Sequence, residues 1–255
     1  MNTPTNKDGI RVRNDNSVVR VTIDRPAQHN ALGAAQVDRL RSVFDEIEND
    51  PSARALVLTG AGTKTFSSGA SLDEMTDGTM TGEHFDTLTG RLARLRVPTV
   101  AALSGSVYGG GAELALCCDF RVGVQGMELR VPAAKLGVCY PVGGLTRYVQ
   151  RLGLHAASRI LLAAELLDGD ELLRIGFLTA LVEPEQLVGS VDALAARLAS
   201  LAPLAVQTMK KILIEIAAGS LDPVEAQRGI DECNRSKHLA EGLQAWREKR
   251  DPDFR

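Results

Sequence analysis

The chain has 255 residues, a formal net charge of −3 and a calculated pI near 5.9. Hydrophobic residues make up 44% and charged residues 24%, the balance of a soluble globular protein with room for one large or two modest cores. That balance excludes a bulk electrostatic pull toward nucleic acid or an anionic membrane, although basic residues can still gather round a small anionic ligand. The polar start MNTPTNKDG lacks the apolar run of a secretory signal, and no apolar stretch approaches the ~20 residues of a membrane span, so a cytoplasmic location is expected. The four cysteines, Cys117, Cys118, Cys139 and Cys233, make no C-x-x-C pair and no metal-ligand spacing with the four histidines. They read as reduced, mostly buried thiols, and no metal site is expected.

In chain order, Ile10 to Arg13 and Val18 to Ile23 alternate apolar and polar positions as two strands joined by Asn14-Asp15-Asn16. Asp24-Arg25-Pro26 stops the second strand. A loop then leads to a helix from about Ala34 to Glu48, with Val37, Leu40, Val43, Phe44 and Ile47 at helical spacing. Ala55 to Thr59 reads as a short buried strand. Gly60 to Ser71 is a loop rich in Gly, Ser and Thr, and Leu72 to Gly82 reads as a mobile or variable region. A helix over Glu83 to Leu95 leads through Pro98 into a central stretch, and Phe120 to Val124 is another strand.

Prolines and glycines break Glu128 to Gly144 into short pieces. Beyond Leu145 the pattern is helical: 146–152, 156–164, 169–175, 187–200, 203–218, 223–235 and 238–249, with Leu181 and Val182 able to add one short strand. Strand–helix alternation followed by helices implies an α/β core and a helical C-terminal region. Lys210-Lys211 and the group Arg247, Lys249 and Arg250 read as solvated faces.

The central stretch, Ala101 to Val122, reads AALSGSVYGGGAELALCCDFRV. A strand, three consecutive glycines and an apolar helix carrying Glu113 follow one another. Glycines ahead of a helix leave backbone N–H groups unpaired and let another molecule approach, and a partially negative oxygen suits that position. Glu113, flanked by Ala112, Leu114, Ala115 and Leu116, must be buried, which raises a carboxyl pKa toward the range of proton transfer. The alternative is structural: the helix packs closely through Gly109 to Gly111, and Glu113 is paired to a cation elsewhere in the chain.

Three segments together, RPAQHNAL at 25–32, FSSGASLDEM at 66–75 and SGSVYGGGAELALCCD at 104–119, closely resemble the crotonase superfamily, the enoyl-CoA hydratase/isomerase family. The resemblance runs to EGLQAWREKRDPDF at 241–254. It implies a spiral of ββα units over residues 1–190 that binds acyl-CoA, and a helical oligomerisation region over 191–255. It also implies a homotrimer or dimer of trimers, and no cofactor beyond the coenzyme A of the thioester substrate.

Carried over by position, the resemblance puts the two oxyanion-hole N–H donors on Ala70 and Gly110, and the main general acid/base on Glu113. Coenzyme A would lie along Ala27, Gln28, Ala31 and Ser68 to Ala70, with Lys64 and Lys249 near its phosphates and Lys249 able to come from a neighbouring subunit. The family's hydratases use a second glutamate, and anchoring VPAAKLGVCYPVGGLTR at 131–147 on Pro132, Leu136-Gly137 and Gly143-Gly144 puts Ala133 in its place. Hydration needs an activated water and a proton for the α-carbon, work that two carboxylates share. A single base suffices in principle to move a proton from C2 to C4, although well-known isomerases of the family keep a glutamate where Ala133 stands. A thioester or C–C hydrolase, a decarboxylase and a silent acyl-CoA-binding protein stay open. Tyr140 is a candidate acid or polarising donor, against a tyrosine simply packed beside Pro141.

Overall fold

The computed structural model describes residues 5–254. β2 (Ile10–Asp15) and β3 (Val18–Ile23) pair antiparallel as the alternation predicts, and Asn16 turns between them at φ 54, a conformation asparagine tolerates better than most residues. β1 (Thr5–Lys7) adds to the edge of this hairpin. α1 (Ala34–Asn49) buries the five apolar residues that its helical spacing aligns.

The middle of the chain contains β4 (Ala55–Gly60), β5 (Thr65–Ser67), α2 (Leu72–Thr76), α3 (Gly82–Ala93), β6 (Thr99–Leu103), β7 (Ser106–Tyr108) and α4 (Gly110–Cys117). β8 (Phe120–Val124), β9 (Glu128–Arg130), a 3-10 turn (Ala133–Leu136) and α5 (Val142–Leu161) follow. Then come β10 (Leu167–Asp168), α6 (Gly169–Arg174), β11 (Ala180–Val182), α7 (Leu187–Ser200), α8 (Pro203–Ala218), α9 (Pro223–Asn234) and α10 (Lys237–Glu248).

Two sheets organise these elements, one in the order β1-β2-β3-β4-β6-β8-β11 and one in the order β10-β9-β7-β5. β4, β6 and β8 enter the first sheet, and the strand after each enters the second before the chain turns helical. This is the repeating ββα spiral that the resemblance implies. The step between sheets is tight at Gly105, where a Cβ would stand 2.4 Å from the backbone carbonyl carbon of Lys64. No side chain fits there, so the Ser-Gly-Ser break in the apolar run marks the crossing.

Several expectations need correction. Leu72 to Thr76 forms a short helix, capped by Ser71, whose hydroxyl accepts from the Glu74 N–H at 3.5 Å. The two helices expected over 146–164 are present as the two halves of α5, which begins earlier, at Val142, and is broken at Gly153, whose φ of 77 interrupts the helical path. The strand at Leu181–Val182 forms, but β10 was not anticipated, since two residues are too few to show a period.

α7 lies against β4, β6 and β8 through Val191, Ala195 and Leu198. α8 buries only Lys210, which is 9% exposed and is not the solvated lysine expected. Its Nζ donates to the Val97 carbonyl at 2.7 Å and to Asp119 Oδ2 at 2.6 Å. No single helix among the described residues is long and apolar enough to cross a membrane.

Candidate active site

Two loops are stitched together before the glycine triplet reaches them. Asn30, fully buried, donates through Nδ2 to the carbonyls of Ala61 (3.0 Å) and Thr65 (2.7 Å), while its own carbonyl accepts from Ser67 Oγ at 2.9 Å. Ser67 Oγ in turn accepts the Gly69 N–H at 3.0 Å. The Leu32 N–H donates to the Gly69 carbonyl, and the Ser71 N–H donates to the Leu32 carbonyl. Residue 70 is thereby held from both sides, while its own N–H donates to no group among the described residues.

The triplet docks onto this loop backbone to backbone. A Cβ on Gly69 would lie 2.4 Å from the Gly110 nitrogen, and one on Gly111 would lie 2.0 Å from the Ser67 carbonyl oxygen. Gly69 at φ 84 and Gly109 at φ 51 hold conformations that L side chains resist. Gly110 begins α4, so its N–H has no intrahelical acceptor, and none among the described residues takes it. Two free N–H groups, of Ala70 and Gly110, thus lie on neighbouring backbones; a Cβ on Gly110 would sit 3.3 Å from the Ala70 nitrogen.

Glu113 follows on α4 and is 2% exposed. Its Oε1 accepts from Thr89 Oγ1 at 2.9 Å and from Arg147 Nη2 at 2.5 Å. Arg147 Nη2 also reaches Asp86 Oδ1 at 2.6 Å and Thr89 Oγ1 at 2.7 Å. Oε2 lies over Gly144, where a Cβ would come within 3.0 Å of it. Burial raises the Glu113 carboxyl above its ordinary pKa, and the Arg147 and Thr89 hydrogen bonds act against that rise without cancelling it.

The structural reading of the glycine–glutamate stretch is realised in both its parts: the helix packs tightly through its glycines, and the buried carboxylate has a cation in Arg147. Arg147, Thr89 and Asp86 were missed from sequence. Arg147 lies in the VGGLTR segment used to locate Ala133, but nothing local marks it as facing a residue 34 positions earlier.

The other predicted residues separate into two groups. Ala133 is 9% exposed at the start of the 3-10 turn, and Tyr140 packs edge-on against Tyr148 with ring centroids 6.0 Å apart. Among the described residues no group within hydrogen-bond distance and geometry partners the buried Tyr140 hydroxyl, and burial pushes its pKa upward, so the phenol stays neutral and can act only as a donor or weak acceptor.

Ala27 and Gln28 are exposed, Ala31 and Ser68 are half-buried, and Lys64 is exposed just ahead of β5. Arg25 Nη1 donates to the Ala31 carbonyl at 2.8 Å and so holds this rim in shape. Lys249 is exposed at the end of α10, and no hydrogen bond joins it to the 25–32 or 64–70 loops.

A sequence profile described as enoyl-CoA hydratase/isomerase matches residues 13–255. The short-chain-enoyl-CoA hydratase of Clostridium acetobutylicum is 32% identical over 250 residues, covering 95% of this chain and 96% of that protein. The carnitinyl-CoA dehydratase of Citrobacter koseri is 33% identical over 249 residues, covering 92% and 94%. Among solved structures, the enoyl-CoA hydratase of Bacillus anthracis superposes with a TM-score of 0.89 at 26% identity, covering 97% of this chain and 99% of that one. The enoyl-CoA hydratase/carnithine racemase of Magnetospirillum magneticum gives a TM-score of 0.88 at 30% identity, covering 98% and 96%. With the spiral of two sheets and the matched length, this chain belongs to the enoyl-CoA hydratase/isomerase family and has its crotonase fold.

Proposed function

We propose that the protein binds an acyl-CoA thioester and moves a proton at the carbon beside its carbonyl, in a reaction of the hydratase/isomerase type. The observation that carries this is the pair of unpartnered N–H groups on Ala70 and Gly110, with Glu113 within the first turn of the helix that Gly110 begins. Negative charge develops on a thioester oxygen when a proton leaves or joins the α-carbon. Two fixed donors aimed at that oxygen stabilise the enolate, and losing one such donor costs roughly 3–4 kcal/mol of transition-state stabilisation.

Glu113 is the general acid/base, and its raised pKa suits reversible proton transfer. Coenzyme A lies along Ala27, Gln28, Ala31 and Ser68, with Lys64 and a neighbouring subunit's Lys249 facing its phosphates. The substrate brings coenzyme A, and no further cofactor is invoked. The helices after α7 supply the contacts of a trimer or dimer of trimers.

Ala133 favours a second reading within the family. The two named sequence relatives are a hydratase and a dehydratase, whereas a site with one glutamate is better matched to moving a proton between C2 and C4 than to adding water.

Crotonyl-CoA, a 3-enoyl-CoA and a β-keto thioester, each incubated with the protein in deuterated water, separate these reactions by mass and by position of label. Label at the α-carbon without added water marks isomerisation or enolisation; added water marks hydration. Replacing Glu113 by Gln is expected to abolish turnover and retain binding, and full activity in that variant would remove Glu113 from its role. Ala133→Glu is expected to bring a gain in hydration.

A further inference from the structure

The Glu113 carboxylate has one oxygen that is occupied and one that is not. Oε1 takes both Thr89 Oγ1 and Arg147 Nη2, whereas Oε2 lies over Gly144 and accepts no hydrogen bond among the described residues. The same Nη2 reaches Asp86 Oδ1, so the two carboxylates share a single guanidinium nitrogen. Gly143 makes room for this arrangement, since a Cβ there would stand 2.3 Å from Asp86 Oδ1. Arg147 is pinned from α3 by Asp86 and Thr89, and it meets Glu113 from α5.

We propose that Arg147, held in place by Asp86, is a positioning residue that clamps Oε1 of Glu113, leaves Oε2 as the working oxygen and keeps the carboxylate ionised, so that Glu113 enters the reaction as a proton acceptor. The proposal rests on the reading of Glu113 as the acid/base and deepens it. A site whose only glutamate starts as a base requires a substrate with a proton to give, a thioester bearing an abstractable C–H beside or conjugated to its carbonyl. Oε2 takes that proton, the electron pair passes to the thioester oxygen, and the same proton returns to carbon from neutral Glu113.

The groups that face Glu113 set the sign of each test. They are Asp86 on α3, Arg147 and Tyr148 on α5, Tyr140 before α5, and Cys117 on its own helix. Burial pushes the thiol and both phenols upward, so these three stay neutral, and the charged neighbours are Arg147 and Asp86. Removing the positive charge favours the protonated acid and moves the Glu113 titration to higher pH. Removing the Asp86 charge favours the carboxylate and moves it to lower pH.

The test is a carbon-13 NMR titration of the Glu113 carboxyl, assigned through Glu113→Gln, in the wild type, Arg147→Gln, Arg147→Lys and Asp86→Asn without thioester. Expected are an upward displacement in Arg147→Gln, a downward one in Asp86→Asn and a near-normal titration in Arg147→Lys. Circular dichroism checks the fold, and the Lys and Asn variants still decide the matter if Arg147→Gln does not fold. Displacements of one sign in both charge-removing variants, or no displacement in Asp86→Asn, would overturn the proposal.

In deuterium exchange from butyryl-CoA, Arg147→Gln is expected to lose roughly tenfold at neutral pH and to recover as the pH rises. A uniformly scaled rate, with the pH limb unmoved, would also overturn it. If the wild type exchanges no acyl-CoA, the proposed function fails while the titration still decides the role of Arg147.

Discussion

The glycines of the site do two different jobs, and substitution separates them. Gly69 at φ 84 abuts the Gly110 nitrogen, so an alanine there needs both a strained backbone and a separation of the two loops. Gly69→Ala is expected to cost on the order of 1–3 kcal/mol in urea denaturation and to abolish exchange, since the donors can no longer converge. At Gly110 the added methyl meets Phe85 Cζ at 2.8 Å, the far end of a ring, and the Ala70 nitrogen at 3.3 Å. The ring can give way, so Gly110→Ala is expected to fold near-normally and lose about a hundredfold in turnover, because a displaced donor no longer meets the developing charge. Full turnover in Gly110→Ala would remove this residue from the proposed oxyanion site.

Among elements, those with several turns or several alternations were legible from the chain, and those made by a handful of residues were not. α1, α7 and α8 have apolar or proline-marked boundaries that a 3.6-residue period exposes, whereas β5 and β10 exist because neighbours pair with them, and α2 is a five-residue helix capped by Ser71. The site divides the same way. Glu113 and the triplet are contiguous and chemically conspicuous; Thr89 and Arg147 lie 24 and 34 residues away and are brought in by helix packing alone.

Lys210 shows the same limit, since a Lys-Lys pair in an amphipathic helix has nothing to distinguish the buried partner. Its ion pair joins α8 to the start of β6, because Asp119 also accepts from the Thr99 N–H at 2.8 Å and hydroxyl at 3.0 Å. Lys210→Met is expected to cost about 3 kcal/mol, the low end for breaking a buried pair because Asp119 keeps partial access to water. Denaturant unfolding followed by circular dichroism measures this, and a change below about 0.5 kcal/mol would mean that α8 is held by other contacts.

At the scale of the whole molecule, the last three helices leave apolar surface that the single chain does not cover. Leu213 is 65% exposed on α8, Val224 75% on α9 and Trp246 79% on α10, and these helices pack on one another. Scattered exposed apolar residues are ordinary, but a concentration of them on one helical layer marks an interaction surface. The proposed trimer or dimer of trimers is the assembly that would cover it, and would carry Lys249, three residues beyond Trp246, toward another subunit. Light scattering during size-exclusion chromatography is expected to give three or six times the chain mass of 27.3 kDa. Trp246 is the only tryptophan, so its emission reports this surface alone. It is expected to be blue-shifted in the assembly and to move red in Trp246→Glu, with mass falling toward the monomer. If Lys249 serves a neighbour's site, acyl-CoA affinity falls with the mass, while Glu113 titrates as before. A wild-type monomer with red emission at micromolar concentration would sink the assembly and, with it, the role given to Lys249.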